Sequence, residues 1–134
     1  MSTRSVLLVE DEPLIRMVLA EALIDEGYHV LMAANVLEAI GIIGRTPAFD
    51  VLITDVDMPG GLTGLDLAAM VCSHARLTEI IITSGRMIKD GLMENWTFVS
   101  KPFGVQAILD LLDPESLGEV RPANDYQVTL AQAS

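Results

Sequence analysis

The residues with chemistry to offer fall into four short groups. Glu10, Asp11 and Glu12 form an acidic run directly after the apolar stretch Val6-Leu7-Leu8-Val9. Asp55 follows Val51-Leu52-Ile53-Thr54, with Asp57 two residues further on. Thr83 closes the β-branched run Ile80-Ile81-Ile82, and Lys101, joined to Pro102, comes just after Trp96-Thr97-Phe98-Val99. Carboxylates held close in a partly buried site repel one another. A hard divalent cation joins them, and Mg2+ takes oxygen ligands, waters and phosphate oxygens. A carboxylate attacks a phosphoryl group to form an aspartyl phosphate. Metal and lysine then neutralise charge on the phosphoryl oxygens, and a threonine hydroxyl donates to one of them. On this reading Asp55 is the nucleophile, Glu10 and Asp11 hold Mg2+, and Lys101 and Thr83 hold the phosphoryl group.

Each residue alone also has an ordinary reading. Acids suit the first turn of a helix. Asp55 serves equally as a turn residue ahead of Met58-Pro59-Gly60, Thr83 as a strand end, and Lys101 as a surface charge. The chemical reading rests on joint placement, and so on the elements that carry these residues.

Those elements follow from the apolar pattern. Val6–Val9, Val30–Ala33, Val51–Thr54, Ile80–Thr83 and Trp96–Val99 are short runs suited to strands. Helical stripes lie between them. Ile15, Val18, Leu19, Ala22 and Leu23 give the first, with Pro13 suited to its first turn and Gly27 to its stop. Asn35 caps a second carrying Leu37, Ile40 and Ile43, which Thr46-Pro47 ends. Leu65, Ala68, Ala69 and Cys72 mark a third. Residues 86 to 94 are assigned to a fourth on a weaker pattern. Val105, Ile108, Leu109 and Leu112 mark the last, with Pro114 as its stop. Five strands alternating with five helices predict an α/β fold, a parallel sheet with helices on both faces. In such sheets function gathers at the carboxyl ends of the strands. Glu10, Asp11, Asp55, Thr83 and Lys101 all fall there.

Bulk properties narrow the options. The 134 residues suit one domain, and with 51% hydrophobic and 20% charged residues the chain has ample material for a core. Only 4% are aromatic, so that core is aliphatic. A net charge of -11 argues against a nucleic-acid partner, which requires clustered Lys and Arg. The single cysteine, Cys72, excludes an intrachain disulfide. No run reaches the roughly 20 apolar residues that cross a bilayer. Val6–Val9 is too short for a secretory leader, so the expected location is the cytoplasm. His29 and His74 have no second ligand at metal spacing. Residues 113–134 lose the stripe and read as a C-terminal tail to a domain spanning 1–112, which leaves no room for an output domain.

The segments Val6–Pro13, Asp50–Gly60, Ile82–Gly85 and Lys101-Pro102-Phe103 resemble the receiver domain of bacterial two-component response regulators, of the single-domain, CheY-like type. The resemblance covers residues 5 to about 112. It implies a doubly wound, flavodoxin-like sheet of strand order 2-1-3-4-5. It implies that Asp55 takes its phosphoryl group from a histidine kinase or histidine phosphotransfer protein, and that the chain is a phosphoacceptor switch rather than an enzyme. It implies that Asp57 gives a backbone carbonyl to the Mg2+ shell. Phe98, three residues before Lys101, falls at the family's aromatic switch position; there Thr83 moves toward the phosphate and the aromatic ring turns inward, biasing a face for an unnamed protein target.

Departures from the family pattern are Glu10 in place of the commoner aspartate, the acid at Asp57, the long Gly60-Gly61 loop, the absence of a tyrosine hydroxyl at Phe98, and Gly85 at the mouth of the site. A homodimer through the last helices stays open. Two rivals remain. One is a Mg2+-dependent phosphohydrolase, since Asp55-Val56-Asp57 resembles the Asp-x-Asp of haloacid dehalogenases, although Met58-Pro59 and the early position of the acidic pair depart from that pattern. The other is a receiver-like adaptor that binds partners without phosphorylation.

Overall fold

Apolar residues at alternate positions of a strand bury both of its faces when helices cover both, and β1 (Ser5–Val9) shows this directly. Val6 and Leu8 enter one core, while Leu7 and Val9 enter the other. The computed structural model describes residues 4–46, 48–74 and 78–112. After β1 come α1 (Pro13–Asp25), β2 (His29–Ala33), α2 (Val36–Arg45), β3 (Val51–Asp55) and α3 (Gly64–His74), then β4 (Glu79–Ser84), β5 (Thr97–Ser100) and α4 (Val105–Leu112). The strands form one parallel sheet in the order β2-β1-β3-β4-β5.

Each face has its own core. On one, Leu19, Ala20 and Leu23 of α1 and Ile108 and Leu112 of α4 meet Val6, Leu8, Val51, Ile53, Ile81 and Val99. On the other, Val36 and Ala39 of α2 and Leu67, Ala68 and Val71 of α3 meet Leu7, Val9, Leu52, Ile80 and Ile82. Full burial of each such aliphatic side chain is worth about 1.5–3 kcal/mol before conformational entropy is counted. The doubly wound α/β fold and its strand order therefore agree with the expectation.

The element bounds follow local signals. Gly27, at φ +97, terminates α1 in the left-handed region that glycine tolerates. Asn35 caps α2 by accepting from the Glu38 N–H at 2.8 Å, while the Glu38 carboxylate accepts from Ala34 N–H at 2.7 Å. The stop assigned to Pro47 and the tail assigned to 113–134 lie outside the described residues.

Three expectations need correction. Residues 86 to 94 are not a helix, so the described residues hold four helices rather than five. Gly85 precedes this link, and Gly91, at φ +96, interrupts it. The few residues between them are too short a window for a stable helix. Ile88 and Trp96 are nonetheless buried against the core, so the link covers β4 and β5 as irregular backbone. In α1, Val18 is 48% exposed although assigned to the buried stripe. Finally, Asp55 is the last residue of β3 rather than the first beyond it.

Candidate functional site

Parallel pairing brings the chemical residues to one edge. Glu10 continues the β1–β2 ladder past Val9, its N–H donating to the Ala33 carbonyl at 3.0 Å. Asp55 pairs in register with Thr83. Lys101 continues the β4–β5 ladder, its N–H donating to the Ser84 carbonyl at 2.7 Å. Three loop starts are thereby fixed by backbone hydrogen bonds before any side chain interacts.

The side chains then converge. Lys101 Nζ donates to Glu10 Oε1 at 2.6 Å and to Asp55 Oδ2 at 3.1 Å. Glu10, Asp11 and Asp55 each offer a carboxylate oxygen, all within 4.8 Å of one another. Glu10 and Asp55 are buried, and Asp11 is not. The Glu10 carboxylate also accepts from the Glu12 N–H at 3.1 Å, and Arg16 Nη1 donates to the Glu10 carbonyl at 2.7 Å, which ties the β1–α1 turn down.

Burial sets the electrostatics. It pushes the Asp55 carboxyl above its ordinary 3.8, against the opposing charge and hydrogen bond of Lys101; the Asp11 charge pushes further up, and an Asp57 backbone hydrogen bond pulls down. Glu10 stands above its ordinary 4.5 for the same first reason, against Lys101 and the Glu12 backbone hydrogen bond. Burial alone lowers the Lys101 ammonium, but the Glu10 hydrogen bond and the charges of Asp55 and Glu10 outweigh it and hold it above 10.5. One lysine therefore does not fully compensate the buried carboxylates. An all-oxygen set of this spacing, still short of positive charge, fits a small hard cation such as Mg2+.

A linkage follows. Glu10 and Asp55 have raised pKa values in the folded chain, so the folded state holds protons that the unfolded state releases. Their contribution to stability is present below the ordinary values and is lost as pH rises through the raised ones. A divalent cation bound by these carboxylates would offset that loss. The gain in melting temperature on adding Mg2+ is expected to grow as pH rises above the ordinary carboxylate values and through the raised ones. Paired melts with Mg2+ and with chelator check this, and a gain that is flat across the window contradicts it.

The other assigned residues stand as follows. Thr83 is buried beside Asp55, and its hydroxyl makes only a long 3.5 Å contact with the Thr54 carbonyl. Phe98 is half-buried on β5 and packs against the core that includes Trp96 and Ile88. The Asp57 carboxylate stays out of the acidic group: Arg86 Nε and Nη2 donate to its two oxygens at 2.8 and 3.0 Å. The Arg86 hydrogen bond and charge hold Asp57 below its ordinary 3.8. His29 is exposed, and Cys72 is partly buried against the core.

Two residues of the site went unnoticed in the sequence. Arg86 is one; its signal is register, since Asp57 and Arg86 lie two and three residues beyond the paired Asp55 and Thr83. Gly64 is the other. Its N–H donates to the Val56 carbonyl at 2.9 Å, and a Cβ there collides with the Asp55 carbonyl oxygen and lies 2.8 Å from both the Asp55 carbonyl carbon and Thr54 Oγ1. The start of α3 is thereby pressed against the backbone of Asp55 itself.

Comparison with known proteins agrees with this fold. A family model described as the response regulator receiver domain matches residues 6–113. The chain is 30% identical over 114 residues to a protein named "Probable transcriptional regulator ycf29" of Porphyra purpurea, a match that covers 81% of this chain and 54% of that protein. It thus spans about half the length of that relative. The chemotaxis response regulator CheY4 of Vibrio cholerae superposes with a TM-score of 0.72 at 30% identity, over 83% of this chain and 97% of that one. The response regulator TrrA of Thermotoga maritima, solved in complex with Mg2+ and BeF, superposes with a TM-score of 0.71 at 28% identity, over 82% and 96%.

Proposed function

The chain belongs to the response regulator receiver domain family, and from that membership we propose that it is a phosphoacceptor switch that takes one phosphoryl group on Asp55. The observation that carries the reading is the double contact of Lys101 Nζ, which ties Glu10 to Asp55 at one sheet edge across 91 and 46 residues of sequence. In the transfer an Asp55 carboxylate oxygen attacks phosphorus. The bond from phosphorus to the donor breaks, and the electron pair leaves with the donor group, a histidine nitrogen of a kinase or phosphotransfer protein. Lys101 moves from the Asp55 carboxylate to a phosphoryl oxygen. The Thr83 hydroxyl gives up its long contact for another, and Phe98 responds on β5, turning the change into a shift of the partner-binding face.

Glu10, Asp11, Asp55 and the Asp57 carbonyl would hold Mg2+, and the ion would supply positive charge for the phosphoryl oxygens. That the related TrrA was solved with Mg2+ and BeF supports a Mg2+ site in this fold. Residues 1–112 form the switching domain and 113–134 an appended tail, and the chain acts through protein partners in the cytoplasm. Among the described residues no helix is long and apolar enough to cross a membrane. The phosphohydrolase reading is disfavoured because it needs the Asp57 carboxylate as a proton donor, and Arg86 occupies both of its oxygens.

An acyl phosphate is cleaved by hydroxylamine, whereas a phosphoserine or phosphothreonine is not. After incubation with Mg2+ and acetyl phosphate, the chain is expected to carry at most one phosphoryl group, and hydroxylamine is expected to remove it. A hydroxylamine-resistant group contradicts the assignment to Asp55. Release of many equivalents of phosphate per chain favours the hydrolase.

A further inference from the structure

The Arg86–Asp57 pair is left over once the phosphoacceptor machinery is accounted for. The two side chains are 60% and 53% exposed, and a pair that open contributes little to stability. Its geometry is better than its stabilising role requires. Both guanidinium contacts are short and land on separate oxygens of one carboxylate, which fixes orientation as well as distance. Its position is also particular. Asp57 lies two residues beyond Asp55 and Arg86 three beyond Thr83, and Asp55 and Thr83 are register partners on β3 and β4. The Arg86 N–H also donates to the buried Ser84 hydroxyl at 3.2 Å, which anchors the base of the arm. The pair therefore bridges the rim of the acidic group.

We propose that Arg86 is a positioning residue for phosphoryl transfer: it clamps the Asp57 carboxylate at the rim, keeps a fourth acid out of the acidic group, and so sets that group's balance between cation affinity and phosphodonor entry. This rests on the receiver reading above and goes beyond it. Glu10, Asp11 and Asp55 face one lysine. A free Asp57 carboxylate adds a negative charge beside them. That charge attracts Mg2+ and repels a dianionic donor, so the two effects have opposite signs. One added charge at the rim, acting on a divalent ion through largely aqueous surroundings, is worth roughly a few-fold in affinity. The effect on a dianionic donor is of the same order and opposite direction.

The experiment compares the native chain with Arg86→Ala, Arg86→Lys, Asp57→Asn and the Arg86→Ala/Asp57→Asn double variant. Calorimetric titration with Mg2+ alone at low ionic strength gives the cation affinity. The phosphorylation rate with acetyl phosphate at saturating Mg2+ gives donor entry. Arg86→Ala is expected to bind Mg2+ about three- to fivefold more tightly and to take phosphoryl about three- to fivefold more slowly. Arg86→Lys recovers most of both effects, the double variant moves both back toward native, and 0.5 M salt shrinks them, as roughly a 4 Å screening length requires. Equal Mg2+ affinity in Arg86→Ala, or a change of both quantities in one direction, overturns the proposal. A native chain that binds Mg2+ but takes no phosphoryl group overturns the receiver reading and with it the role of Arg86 in phosphoryl transfer, while unchanged Mg2+ affinity in Arg86→Ala beside normal native uptake overturns the clamp alone. A native chain that binds no Mg2+ overturns both.

Discussion

Lys101→Ala is expected to slow phosphoryl uptake at Asp55 by roughly 100- to 1000-fold, the usual cost of losing one preorganised charge at a reacting oxygen. The lysine has two tasks. In the resting chain it is the cation that lies within hydrogen-bond distance of both buried carboxylates, at 2.6 and 3.1 Å. During transfer it is the group placed to meet charge on the phosphoryl oxygens. Without it Glu10 and Asp55 keep the burial that raises them and lose the partner that opposes it, so both rise further. Breaking a fully buried pair costs about 3–5 kcal/mol, an upper bound here because the carboxyls can take protons instead. Lys101→Arg keeps the charge but not the compact ammonium, and is expected to recover stability more fully than rate. Time courses of intact mass with acetyl phosphate, alongside thermal melts, check both halves. Uptake by Lys101→Ala at the native rate contradicts the assignment.

The second large effect is structural. Gly64→Ala is expected to destabilise the chain by about 3 kcal/mol, or roughly 10 °C in melting temperature, and to weaken phosphoryl uptake at the same time. The obstruction is backbone: the added Cβ meets the Asp55 carbonyl and the Thr54 hydroxyl, which itself donates to that carbonyl at 2.9 Å. Neither can move without displacing the end of β3, because Asp55 is held in register by β4. Gly61→Ala is the control. No atom lies within 4 Å of its Cβ, and a change within about 0.5 kcal/mol is expected. Similar melts for the two variants contradict this account of Gly64.

These two residues also show what the sequence discloses and what it withholds. Lys101 was legible because it combines a residue type with a strand end, and parallel α/β topology brings strand ends together. The same holds for Glu10, Asp11, Asp55 and Thr83. Gly64 was not legible, since its role is a close approach between α3 and the Asp55 backbone that no local pattern encodes. Arg86 was missed for a related reason: its partner lies 29 residues away and is reached only through the β3–β4 register. The weak pattern at 86 to 94 suggests a helix, but Gly91 at φ +96 and the short stretch between Gly85 and Gly91 decide against it. In α1 the stripe was blurred because Leu14, Met17 and Ile24 are apolar yet exposed, at 70%, 57% and 54%. A helix apolar on several sides does not show which side is buried.

The most direct test of the central claim is the intact mass of the native chain and of Asp55→Asn after incubation with acetyl phosphate, with Mg2+ and with chelator. A gain of one phosphoryl group is expected in the native chain, dependent on Mg2+ and absent from Asp55→Asn. Uptake that persists in Asp55→Asn, or no uptake by a native chain shown to bind Mg2+, contradicts the phosphoacceptor role of Asp55.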